Sequence, residues 1–430
     1  MVGSAPTKLP IQERVERPSF EAELTGEKGE AMGPLTGLKI IELAGLGPGP
    51  WCGMLFSDLG AEVLRIDRPS DVGTVRTDLG ASNERQPAFV NDRGRRSVAI
   101  DLKHPDGAAA VLRLAEQADA LIEGNRPGVA ERLGVGPAEC FTRNPRLVYG
   151  RATGWGQDGP LSDRAGHDLN YLATSGLLAA MGPPEGAPAI PLNLLGDFAG
   201  GGLMLAMGVL SALWEARSSG HGQVVDAAML DGIALLGGIF YGQRQAGMLG
   251  LKRGTNALDG GAPFYAVYET SDAGWMAVGA IEAKFFSELL DVLGLDPGLA
   301  ASQWDRGAWP ELRARIEGAF KTRTRAEWEA RFADREACTT PVLDLDEALQ
   351  HDHARARGSF VPLDGVLQPA PAPRFSRTPG AVQGPAVPAG ADTARALQDW
   401  GFAAREVDAL RSSGAVVQGS VHTSPHHSNS

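Results

Sequence analysis

Three short segments of the 430-residue chain carry side chains suited to moving a proton. The first is Gly166-His167-Asp168-Leu169-Asn170-Tyr171. Asp168 reads as the N-cap of a helix running on through Leu178, which sets His167 at the helix mouth. The dipole there disfavours an imidazolium and keeps a neutral base available. Unpaired backbone N–H groups at the same mouth suit a developing oxyanion. An ordinary capped helix with an incidental histidine ahead of it fits the same letters. The second segment is Asn193-Leu194-Leu195-Gly196-Asp197-Phe198-Ala199-Gly200-Gly201-Gly202. Asp197 fits a plain N-cap, yet three consecutive glycines weaken a helix start by ~1 kcal/mol each relative to Ala. Such a run suits the close approach of a ligand or of another backbone. The third is Glu282, after the strand-like run 274–281 and at the opening of a helix, where the dipole alone favours an acid.

A basic set lies in the first half of the chain. Arg68 follows EVLRID, Lys103 follows VAIDL, and Arg126 and Arg132 flank a Gly/Pro turn. Taken singly, each looks like solvated surface. Together they stand after strands or in loops of an α/β pattern, where ligands of such sheets bind. The formal net charge of −12 argues against nucleic acid or an anionic membrane as the main partner, so a phosphate-bearing ligand needs such a local pocket. A dinucleotide fingerprint is incomplete. Gly45-x-Gly47-x-Gly49 precedes a helix and Asp67 ends the next strand, but Pro50 or Cys52 stands where the third glycine belongs. His351-x-His353 and His426-His427 lack a further ligand set, so no metal site is expected. Neither a G-x-S-x-G elbow nor a Walker lysine occurs.

The elements that must position these groups follow from periodicity and punctuation. Gly37–Leu43, a helix over 51–59 and Glu62–Asp67 read as a β-α-β unit. Ser97–Leu102, a helix near 107–118 and Ala120–Ile122 repeat it. Apolar helices are expected at 169–181, 199–217 and 229–248. Phe198–Trp214 is uncharged and is broken by Glu215, which suits a buried helix better than a membrane span. A hairpin (263–270, 274–278) and amphipathic helices at 282–293 and 309–321 follow, then a last helix pair at 392–402 and 404–411.

The expected fold class is therefore α/β: a large Rossmann-like parallel-sheet domain plus a smaller α+β domain. The boundaries run as a flexible extension 1–33, a large domain 34–230 completed by 371–412, and a linker helix 231–264. The small domain 265–360, a Pro-rich return linker 361–390 and a disordered tail 413–430 complete the chain. Glycine and proline, 56 and 29 residues, mean many tight turns without repeats. Three scattered cysteines and a polar N-terminal segment point to a reduced, cytoplasmic setting.

The motifs LTGLKIIELAGLGPGP, DLGAEVLRIDRP, VAIDLKHPDG, LIEGNRPGVAERLGVGP, AGHDLNY, NLLGDFAGGG and VGAIEAKFF occur in this order. With the stretches between them, the chain over roughly 35–380 closely resembles the α-methylacyl-CoA racemases of the family III CoA-transferase superfamily. The resemblance implies epimerisation of 2-methylacyl-CoA thioesters through a planar enolate. His167 and Asp197 would face the α-carbon from opposite sides, and Glu282 would orient the histidine. CoA would be held at Arg68, along Ile100, Asp101, Leu102 and Lys103, and by Gly124, Asn125, Arg126 and Arg132. The turn Gly166, Asp168, Leu169, Asn170 and Tyr171 would complete its site, with no cofactor beyond the CoA moiety and no metal. An interlaced homodimer is implied, each active site lying between the large domain of one chain and the small domain of the other.

Two-base exchange makes a demand of its own, because each base must also serve as an acid. A helix N-terminus pushes Asp197 towards a low pKa, which its surroundings must offset. The same superfamily holds CoA-transferases, in which the acid matching Asp197 attacks the thioester; these generally lack a histidine matching His167. The extension 1–33 and the long segment 70–95 depart from the racemase pattern.

Overall fold

The computed structural model describes residues 33–72 and 90–419. Most of the extension 1–33, the middle of the segment 70–95 and the tail from 420 onward lie outside the described residues. The apolar run Lys39–Leu43 forms β1, and the turn after it opens helix α1 (Pro48–Asp58). Pro48 and Pro50 sit in the first turn, where a missing N–H costs no intrahelical bond. The chain continues through β2 (Glu62–Asp67), β3 (Arg96–Ile100), α2 (Pro105–Ala115), β4 (Ala120–Glu123), α3 (Val129–Arg132), α4 (Pro137–Arg143) and β5 (Val148–Thr153). Helix α5 (Asp168–Ser175) ends at Gly176, whose φ of 83° makes it a left-handed C-cap, so the expected helix 169–181 is cut short.

Residues Leu194–Leu203 are π-helical and run into α6 (Met204–Ser219). Together the two make one helical run, Leu194–Ser219, long and apolar enough by length and composition to cross a membrane. One face of α6 packs against β5 and β6 (Val224–Ala228). The helix expected over 229–248 divides at Gly237 into α7 (Met229–Leu236) and α8 (Gly238–Gln245). At that junction a Cβ on Gly237 would lie 2.6 Å from the Leu177 side chain, so the position has no room for a side chain.

A second core gathers around β7 (Tyr265–Glu269), β8 (Trp275–Gly279), α9 (Ala283–Leu293), α10 (Trp309–Phe320) and α11 (Arg325–Phe332). The hairpin β7–β8 forms as expected, and β9 (Thr339–Pro341) adds a third antiparallel strand. Short helices α12 (Leu345–Gln350) and α13 (Asp352–Ala356) lead to the hairpin of β10 (Phe360–Leu363) and β11 (Val366–Pro369). The following Pro-rich stretch is strapped down by arginines. Arg93 donates to the Pro369 carbonyl at 2.8 Å and Arg65 to that of Val387 at 3.1 Å.

Helices α14 (Thr393–Asp399) and α15 (Ala404–Ser412) then return to the first core, the apolar cluster on the main sheet that holds Ile41, Leu64, Val98 and Leu121, and β12 (Val416–Val417) pairs antiparallel with β3. Residues 413–419 are thus no frayed tail. β3 presents an open edge, and two valines supply the ladder that covers it. The main sheet has the order β12-β3-β2-β1-β4-β5-β6, with β1 to β6 all parallel. The molecule is a mixed α/β protein with one large, mostly parallel sheet and two small antiparallel ones.

Candidate active site

The strand order sets the place. β1 has β2 on one side and β4 on the other, so the winding reverses between β1 and β4. Parallel strands bring their carboxyl ends to one edge. The turn 44–47, Arg68, Asp101–Lys103, Gly124–Arg126 and the loop after β5 all lie along it. Arg68, Lys103, Arg126 and Arg132 are exposed, and none forms an ion pair with another described residue. Ile100 is buried, while Asp101 is fixed at both ends. Its N–H donates to the Ala415 carbonyl, and its carboxylate accepts the Lys103 N–H, both at 2.9 Å. Gly124 is exposed and Leu102 partly buried.

His167 is the N-cap residue of α5, with extended backbone (φ −130°, ψ 171°), and its side chain is exposed. Its N–H donates to Asn170 Oδ1 at 3.0 Å. Asp168 is therefore not the N-cap that its sequence suggests but the first helical residue. Its carboxylate turns inward, with 5% of the residue exposed. There Oδ2 accepts the N–H groups of Gly196 and Asp197, at 2.6 and 2.8 Å. An acid on α5 thus caps the helix that carries Asp197. The Gly166–Tyr171 and Asn193–Gly202 segments become one unit.

Asp197 is half-buried, and its carboxylate accepts Asn193 Nδ2 at 3.0 Å. It lies over the turn at Gly47, where φ is +68° and a Cβ would stand 3.2 Å from the Asp197 carboxyl carbon. Glycine meets both requirements at once. Tyr171 is buried edge-on to Trp155, ring centroids 4.7 Å apart. Burial first, then the Asp197 charge, push its phenol above the ordinary range, with Arg126 opposing. Arg126 and Asp197 are therefore both within electrostatic reach of one ring. The three glycines after Asp197 answer to neighbouring backbone. Gly200 packs on Gly232 of α7, where a Cβ on Gly232 would fall 2.0 Å from the Gly200 carbonyl, and Gly201 and Gly202 pack on Pro48 and Trp51.

Glu282 is the exposed N-cap residue of α9; burial first, then the nearby Glu282 charge, raise the Cys338 thiol. Within one chain, neither a hydrogen bond nor an ion pair joins Glu282 to His167. Between the two cores lies a cavity of about 790 Å³, lined mainly by apolar side chains such as Met181, Leu195, Phe240, Met248, Ile281 and Trp304. Leu195 is two residues from Asp197, and Ile281 adjoins Glu282.

Two buried ion networks escaped the sequence reading. Arg95 contacts Glu42 at 3.2 Å and Asp92 at 2.8 Å and donates to the Pro50 carbonyl at 2.8 Å, fixing the start of α1. Arg65 joins Asp92 to Asp67, and Asp67 also accepts the Ser97 hydroxyl at 2.5 Å. Asp67 is spent there, which removes the acid that a dinucleotide ribose needs. In the second network Arg151 bridges Glu123 (2.9 Å) and Glu131 (2.8 Å), while Glu123 accepts the Asn125 N–H at 2.6 Å. That bond anchors the Gly124–Arg126 loop. Charges in a sequence read as surface, and only the fold reveals their partners.

A family model, CoA-transferase family III, matches residues 35–393. The α-methylacyl-CoA racemase of Mus musculus is 44% identical over 383 residues, covering 88% of this chain and 96% of that protein. Its Homo sapiens counterpart is 41% identical and covers 91% and 99%. An acetyl-CoA:oxalate CoA-transferase of Acetobacter aceti is 31% identical over 78% of this chain and 88% of its own. Among solved structures, Rv3272 of M. tuberculosis aligns with a TM-score of 0.72 and 27% identity, covering 85% of this chain and 99% of that one.

Proposed function

The chain belongs to CoA-transferase family III, and from that premise we propose that it interconverts the R and S epimers of 2-methylacyl-CoA thioesters. The observation that carries this reading is the Asp168 bridge, which ties the His167 turn to the Asp197 backbone at the carboxyl edge of the sheet. The racemase relatives, at 41–44% identity, support the same choice.

In this mechanism one of the pair His167 and Asp197 removes the α-proton of one epimer, and the electron pair moves onto the thioester oxygen as an enolate. The other then delivers a proton to the opposite face, and the second epimer follows the reverse course. The first N–H groups of α5, which have no intrahelical acceptor, stabilise the enolate oxygen. Proton transfer moves no electrons between redox states, so the reaction calls for no cofactor beyond the CoA of the substrate. Arg68, Lys103, Arg126 and Arg132 serve the CoA phosphates. Ile100–Leu102, Gly124, Asn125 and the Gly166–Tyr171 turn line its path, and the acyl chain enters the apolar cavity. Glu282 of a second copy orients His167, which makes the working form a homodimer in the cytoplasm.

The second reading is CoA transfer with Asp197 as nucleophile, favoured by the transferase relative at 31% identity. One experiment separates them: a single epimer is incubated in D2O and its α-proton followed by NMR, with His167→Ala and Asp197→Ala alongside. Exchange with inversion, reduced at least ~100-fold in both variants, is expected. Consumption of acyl-CoA only when a free carboxylic acid is added, lost only through Asp197, would mean transfer instead.

A further inference from the structure

An acid at the start of a helix ordinarily folds back and caps that helix with its own carboxylate. Asp197 stands in the fourth position of its helix, past the N-cap Asn193, and the first-turn donors beside it are held from elsewhere. The Gly196 and Asp197 N–H groups both point to Asp168 Oδ2. The approach depends on Gly196, where a Cβ would lie 2.5 Å from that oxygen. Left without this role, the Asp197 carboxylate extends instead to Asn193 and to the space over Gly47. Asp168 also follows His167 in the chain, so a single side chain fixes the separation of the two groups. Its other oxygen, Oδ1, is buried and finds no hydrogen-bond partner among the described residues. An unpartnered buried carboxylate oxygen is a cost to the fold, and such costs gather where geometry serves function.

We propose that Asp168 is a positioning residue for the proposed epimerisation: it clamps the first turn of the Asp197 helix and thereby sets Asp197 against His167. The proposal rests on the reading above of His167 and Asp197 as the acid/base pair. It assigns the Asp168 side chain to this clamp and leaves only its backbone N–H for the substrate. Because misplacing a reacting group by 1 Å costs on the order of 100-fold in rate, the clamp acts on turnover rather than on binding.

Asp168→Ala and Asp168→Asn test this in two assays: α-proton exchange of each epimer, and amide hydrogen exchange across 194–203 by mass spectrometry. Asp168→Ala is expected to lower kcat about 100-fold for both epimers while KM moves less than about threefold. Its amides at 196 and 197 exchange at least about tenfold faster. Asp168→Asn keeps an oxygen acceptor, so it recovers about tenfold of the lost kcat and most of the amide protection. Unchanged amide protection in Asp168→Ala overturns the clamp, and so does a loss confined to KM. A wild-type protein that shows no α-proton exchange would sink the epimerase reading alone; amide protection then still decides whether Asp168 clamps the helix.

Discussion

At Gly154 the absence of a side chain makes room for another residue's ring. A Cβ there would lie 2.0 Å from the Tyr171 ring, which sits beside Asp197. Gly154→Ala is therefore expected to destabilise the protein by ~1–3 kcal/mol. It should also lower α-proton exchange, since Tyr171 must shift; urea denaturation and the NMR assay measure the two effects. Wild-type stability in this variant would mean that the ring has somewhere else to go. Residue types at this scale were largely legible in the sequence, and residue partners were not. His167 was expected at a helix mouth and is the N-cap there, whereas Asp197, which read as a plain N-cap, is the fourth residue of its helix. Asp168 looked like a local cap because the amides it binds lie 28 and 29 residues further along the chain. Asp67 looked available for a ribose because Ser97 lies 30 residues away, and the Arg65 two residues before it read as one more surface charge.

Among the elements, β4 and the loop after it depend on a shared arginine whose two carboxylates respond to pH in opposite senses. Hydrogen bonding to Arg151 holds Glu131 below the ordinary glutamate range. Its stabilising contribution is present at neutral pH and is lost as pH falls through that lowered value. Burial pushes Glu123 above the ordinary range, against its bonds to Asn125 and Arg151. Stability from that group instead declines as pH rises from the ordinary to the raised value. Glu131→Gln should thus flatten the fall in Tm between about pH 5 and pH 3 and leave the opposite, Glu123-driven trend above it. A thermal-melt series across that range checks it; an unaltered acid limb would show that Arg151 does not depend on Glu131. Strands such as Glu62–Asp67 and the Tyr265–Gly279 hairpin were readable because apolar runs and Gly/Asp turns bound them. The π-helical start at Leu194–Leu203 was not. Within it Gly200 packs against Gly232, a contact that periodicity along one helix does not encode.

For the whole molecule, the separation of Glu282 from His167 within one chain makes a prediction about assembly. If each site draws His167 from one copy and Glu282 from another, the two single variants should complement each other. Co-expressed His167→Ala and Glu282→Ala chains, each nearly inactive alone, should recover about a quarter of wild-type exchange, because half the dimers are mixed and each holds one intact site. Mixed dimers with no activity would place both residues of a site on one chain. The two-core layout was legible from the shift in composition after residue 262. The return of 371–412 to the large sheet was expected; the arginines that hold the Pro-rich stretch and the strand that closes the sheet edge were not, since such a stretch gives no periodic signal. That closure has a consequence for synthesis. The first strands of the large sheet leave the ribosome early, but β12, Asp392 and Thr393, which satisfy the exposed edge of β3, come from the last residues described. The second core is complete before then and can form while the sheet is still open. The part of the protein that is made first is thus finished last, and an unpaired strand edge persists through most of translation, the interval in which chaperone capture or mispairing with a neighbouring chain competes with folding.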